Sequence, residues 1–124
     1  MTEELTAAQL IRVLWDRIDA QRWDGLAEVL DPDARIELVH TGEVLTRDAF
    51  LRLNGDYPGR WHASVEDLVA DADRAVTRAR VTDGERTFHV ASFARSRSGL
   101  LVELVEVWTE SGQTPPPEAR AGGA

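Results

Sequence analysis

The sequence predicts an α+β domain in which three N-terminal helices cover one face of a curved antiparallel sheet. Two observations carry this. Up to about residue 55 the chain shows capping residues followed by apolar side chains at helical spacing. Beyond it, long β-prone runs are separated by turn signals. At 124 residues the chain can bury one core, so residues 1–110 read as a single domain. The remaining 111–124 are rich in Pro and Gly, lack periodicity, and are expected to be a disordered tail.

The elements follow in order. Thr6 and Gln9 match a capping box, and Ala7, Leu10, Ile11, Leu14, Trp15 and Ile18 form one apolar stripe, giving a helix over about 7–21. Trp23, Leu26, Val29 and Leu30 suggest a second, short helix that ends before Pro32. Arg35 to His40 alternates as a strand, closed by a turn at Thr41-Gly42. Thr46 can cap a third helix carrying Phe50 and Leu53, stopped by Gly55 and Pro58. Strands are expected at about 60–69, 75–82, 86–95 and 100–109. Asp83-Gly84 reads as a two-residue type I′ hairpin, and Ser96 to Gly99 as the next turn.

Composition removes several function classes. A net charge of −8 and the lack of a basic cluster argue against nucleic acid as a partner. There is no cysteine, which excludes disulfides and thiolate chemistry. The three histidines lack metal-ligand spacing, so no metal site is expected, and no Gly-rich loop offers a phosphate cradle. No apolar run reaches the roughly 18 residues needed to span a bilayer, so no membrane is expected. The start, MTEELTAAQL, lacks the basic and apolar blocks of a signal peptide, and a cytoplasmic location is the expectation.

Turn geometry fixes strand register, and register nominates a site. With loops at Asp83-Gly84 and Arg97-Ser98, Arg78 lies opposite His89 and His89 opposite Glu106, forming one polar row. Arg80, Phe93, Leu104 and Trp108 share its face, and the opposite face is mostly apolar. Two readings stay open on pattern alone. The row is either a solvated ladder worth about 0.2–1 kcal/mol per pair, or the polar lining of a pocket. A one-residue shift in either turn reverses the face. Other candidates are His40 at a strand end, Asn54 and Tyr57 after the third helix, and Trp61 beside His62.

Residues Gln21 to Ala34, Tyr57 to Trp61, and the closing Gly99-Leu-Leu-Val-Glu-Leu-Val-Glu-Val-Trp108 resemble the SnoaL-like branch of the nuclear transport factor 2-like superfamily. Val107 stands where that branch usually has an aromatic residue. The resemblance implies a cone enclosing a pocket, with the face of Arg78, His89, Glu106 and Trp108 inside. Ketosteroid isomerase, a member of the superfamily, has catalytic positions that fall on Leu38, Leu14 and Ala91, none of which can perform its chemistry. The Asp–Arg–Asp set of limonene-type epoxide hydrolases is imitated only in part by Arg78 and Glu106.

What the resemblance implies for function is a cofactor-independent acid–base enzyme of small-molecule or natural-product metabolism, of cyclase, isomerase or dehydratase type. His89 would be the base, Glu106 its orienting partner and Arg78 the stabiliser of negative charge. Trp108, Trp61, Tyr57, Asn54, His40, Arg80 and Leu38 would surround an apolar or ring-bearing ligand. The alternative is a non-catalytic ligand-binding or dimerisation module. A homodimer through the outer sheet face is expected in either case.

Overall fold

The computed structural model describes residues 4–118. Three helices and six strands follow in the order α1 (Ala7–Asp19), α2 (Trp23–Ala27), β1 (Leu30–Leu38), β2 (Glu43–Thr46), α3 (Arg47–Asp56), β3 (His62–Asp71), β4 (Arg74–Thr82), β5 (Thr87–Arg97) and β6 (Leu100–Glu110). All six strands form one sheet, ordered β2-β1-β6-β5-β4-β3. Every neighbouring pair is antiparallel except β1 with β6, which is parallel.

Helix α1 starts where its capping box dictates. The Gln9 backbone N–H donates to Thr6 Oγ1, and the Thr6 N–H donates to Gln9 Oε1. Its stripe of Leu10, Ile11, Leu14 and Trp15 is buried against the sheet. Trp15 Nε1 donates to Thr77 Oγ1 on β4 at 3.1 Å, which sets the helix along the sheet's inner face. Thr46 caps α3 by accepting from the Ala49 N–H, and Phe50 is that helix's buried anchor. Helix α3 runs through Gly55 to Asp56. Strand β2, only four residues long, was not anticipated from the sequence, because so short an element shows no periodicity.

Two turns differ from expectation. The loop after β4 has four residues, Asp83 to Arg86, not two. The Asp83 carboxylate accepts from the Glu85 and Arg86 N–H groups at 2.9 and 2.7 Å, so the aspartate organises the loop through its side chain. The next hairpin turns on Ser98-Gly99 rather than Arg97-Ser98. Both residues have positive φ, 53° and 78°, as a type I′ turn requires.

Neither change alters which face a side chain occupies, because each slides the pairing by an even number of residues. A β-bulge does. Arg95 pairs with Glu103 but Ser96 with Leu101, leaving Val102 as an extra residue in β6. Beyond Val102 every β6 side chain lies on the face opposite to that expected relative to β5. Leu104, Glu106 and Trp108 turn inward beside Val90, Ser92 and Ala94. Arg78, Arg80, His89, Ala91 and Phe93 occupy the outer face.

The core lies between this inner face and the helices, and includes Leu14, Trp15, Ile36, Phe50, Ala79, Val90 and Leu104. Of the expected disordered tail, 119–124 lies outside the described residues, as do the first three residues of the N-terminal segment. Residues 111–118 are exposed, and Gln113 Nε2 donates back to Thr109 Oγ1 and the Glu110 carbonyl.

Candidate functional site

Helices and sheet do not meet along their whole length. Between the ends of α1, α2 and α3 and the inner face of β1, β5 and β6 lies a cavity of about 520 Å³. One wall is aromatic. Tyr57, Trp61, Phe88 and Trp108 follow one another with ring centroids 6.0, 5.6 and 6.1 Å apart, and Trp108 in turn meets the buried Trp15 at 6.5 Å. Ile18, Leu38, Phe50, Leu53 and Val81 supply further apolar surface. Such a lining suits a ring-bearing molecule and leaves orientation to a few polar groups.

Glu106 is the polar group at the floor. Its side chain is 2% exposed and lies in a row across the sheet made by Glu43, Leu38, Glu106, Ser92 and Thr77. Trp108 Nε1 donates to Oε1 at 3.1 Å and Ser92 Oγ donates to Oε2 at 3.2 Å. Burial in apolar surroundings pushes the carboxyl from 4.5 up to about 7, and the two hydrogen bonds oppose that rise without cancelling it. Both donors are neutral, and no cation contributes. A carboxyl with that pKa populates both forms near neutrality, as a group that must accept and return a proton requires.

The row expected from the hairpins does not form. Arg78 is exposed on the outer face opposite Ala91 and Asp67, and Arg80 is exposed opposite His89 and Ser64. The His89 ring is also outside, with Nε2 2.6 Å from Ser111 Oγ and Nδ1 3.8 Å from Glu66. Of Arg78, His89 and Glu106, only the glutamate faces the cavity, and the Val102 bulge is the reason. The imitation of an Asp–Arg–Asp set falls with the same correction. Ala91 is likewise outside, and the inward residue opposite Glu106 is Ser92.

Other nominated residues do come together. Trp108, Trp61, Tyr57, Asn54, His40 and Leu38 all line the cavity, and Arg80 does not. Asn54 Nδ2 donates to the Phe50 carbonyl at 2.8 Å, which fixes its amide at the wall. His62 is exposed on β3, 3.5 Å from Asp19 and away from the cavity. Sequence reasoning missed Ser92, Phe88 and Glu43. Ser92 carried a readable signal, being one hydroxyl between inward Val90 and Ala94. Among the described residues no group of three His, Asp or Glu side chains is placed to hold a metal ion.

A family model described as the SnoaL-like domain matches residues 11–104. The chain belongs to the SnoaL-like family. A comparison with curated proteins returns no match. Among solved structures, this SnoaL-like protein is similar to one from Kribbella flavida proposed to be a ketosteroid isomerase. The two share 30% identity over 100% of this chain and 91% of that one, with a TM-score of 0.84. IdmH from Streptomyces antibioticus, proposed to be a polyketide cyclase, shares the fold at 20% identity. That match covers 84% of this chain and 92% of IdmH, with a TM-score of 0.73. An epoxide hydrolase of M. tuberculosis also shares the fold, at 15% identity and a TM-score of 0.70, over 87% and 86% of the two chains. No helix of the described residues is long and apolar enough to cross a membrane.

Proposed function

We propose that this SnoaL-like protein is an acid–base enzyme acting on a small ring-bearing molecule, of isomerase, cyclase or dehydratase type, with Glu106 as the group that moves the proton. The observation that carries this is a carboxyl buried at the floor of an aromatic-lined cavity, whose pKa is pushed up to about 7. An ionised Glu106 takes a proton from a carbon beside a carbonyl, and the resulting carboxylic acid returns it at another atom of the same substrate. That step by itself needs no cofactor. Trp108 and Ser92 hold both carboxyl oxygens, so the group stays aimed between transfers. Tyr57 and Asn54, in the lining, offer a hydroxyl and an amide to a developing enolate oxygen. The Kribbella flavida relative, proposed to be a ketosteroid isomerase, belongs to the same reaction class.

A second copy of the chain belongs to this reading. Phe93 and Val107 on the outer face, and Val69 on the edge strand β3, are exposed at 48%, 40% and 62%. Arginines and carboxylates stand among them, which suits a self-complementary contact.

5-Nitrobenzisoxazole tests the base directly, because removal of its ring proton breaks the N–O bond and releases a coloured phenolate. Turnover is expected to rise as pH passes through about 7. Glu106→Gln should lower it by about a hundredfold or more, the usual range for a positioned base. A wild-type rate no greater than that of Glu106→Gln at pH 8 would overturn the assignment.

A further inference from the structure

The row that holds Glu106 reaches the cavity rim. Glu43 on β2 pairs with Leu38 on β1, and Leu38 pairs with Glu106 on β6, so both glutamates lie on the same face with one leucine between them. Two strand spacings put their backbones about 10 Å apart. Glu106 is buried at the floor, and Glu43 is exposed while still lining the cavity. Among the described residues, the ion pairs leave Glu43 without a cation.

The other charges nearby are already engaged. Glu110 lines the cavity too, but Arg86 grips it with hydrogen bonds of 2.9 and 3.1 Å. The same guanidinium covers the Phe88 ring at 5.0 Å from its centroid. No arginine lines the cavity among the described residues, and the chain contains no lysine. His40 is the one histidine in the lining. A ligand therefore meets two unpaired carboxyls about two strands apart, with aromatic faces beside them. Aromatic rings attract cations, and apolar walls strengthen any field they enclose.

We infer that the cavity selects a ring-bearing amine, bound as its ammonium ion, with the charged nitrogen at Glu43 and the reacting atom roughly 10 Å away at Glu106. Carboxylates and phosphate esters of similar shape are disfavoured, because no arginine or lysine in the lining compensates their charge. The inference deepens the proposed function and rests on it, since it assumes that the ligand occupies the Glu106 cavity.

Three probes with one ring system separate the two ideas: 2-naphthylmethylamine, 2-naphthalenemethanol and 2-naphthoic acid, titrated calorimetrically into the full chain at pH 7.5. The amine is expected to bind about fivefold more tightly than the alcohol, and the acid about tenfold more weakly than the alcohol. Glu43→Gln should abolish the amine's advantage over the alcohol, and a circular dichroism spectrum matching the wild type shows that the variant is folded. An amine that binds no more tightly than the alcohol, or an acid that binds as well, overturns the charge selection and leaves the proposed function standing. An advantage that survives Glu43→Gln overturns the placement of the nitrogen. Failure of all three probes to bind overturns both readings.

Discussion

Replacing Glu106 with Gln removes a titrating proton and keeps the shape of the side chain. The amide oxygen can still accept from Trp108 Nε1, so the variant isolates charge from packing. In the unfolded chain the Glu106 carboxyl titrates at 4.5, and in the folded protein at about 7. Between those values the folded state keeps a proton that the unfolded state has lost, so unfolding releases one and stability falls as pH rises. The destabilisation is absent below 4.5 and complete above about 7. At about 1.4 kcal/mol per pH unit it amounts to about 3 kcal/mol. For a chain of this length that corresponds to roughly 12 °C in Tm, taking roughly 4 °C per kcal/mol. Urea denaturation of both proteins, followed by circular dichroism from pH 4.5 to pH 8.5, measures it. The curves should meet near the acid end and diverge towards the alkaline end, with Glu106→Gln the more stable. Parallel curves would refute the buried, cation-free carboxyl, and so would a wild type that gains on the variant as pH rises.

Ser92→Ala removes one of the two hydrogen bonds that favour the ionised form of Glu106, so the midpoint of the pH–rate profile should move above 7 by up to about one pH unit. A midpoint unchanged or lower would show that the hydroxyl does not act on the carboxyl. Arg78→Ala and His89→Ala, both on the outer face, should each lower turnover at least tenfold less than Glu106→Gln does; an equal loss in steady-state kinetics would return them to the site. Phe93→Glu should convert a dimer to a monomer in light scattering at micromolar concentration, since it puts a charge on the exposed apolar patch. A wild type already monomeric there would dismiss the outer-face contact.

Much of the fold was legible because its signals are local. Thr6 with Gln9, Thr46, and the stripe from Leu10 to Trp15 specify two helices within a few residues of themselves. Placement of β3 to β6 was legible for the same reason, whereas β2 and the start of β1 at Leu30, which the apolar spacing assigned to the second helix, were not. The resemblance to SnoaL-like proteins brought Trp108, Trp61 and Tyr57 to the cavity. The face of β6 was not legible. It depends on Val102 being passed over in the pairing with β5, and no residue near Val102 announces a bulge in the way that Gly announces a turn. Hairpin arithmetic thus singled out Glu106, which lies at the cavity floor, and gave it neighbours that the ladder does not. The true ones, Ser92 and Trp108, were concealed by one extra residue in the ladder.

The aromatic wall has an optical consequence. Excitation passes readily between indoles at such separations, so light absorbed by buried Trp15 can be emitted from Trp108 or Trp61 at the cavity. A ligand touching one of those rings would then dim emission collected from the whole set. The protein carries its own reporter of occupancy, and a library of colourless compounds can be screened by tryptophan fluorescence with no label, no substrate and no assumption about the reaction.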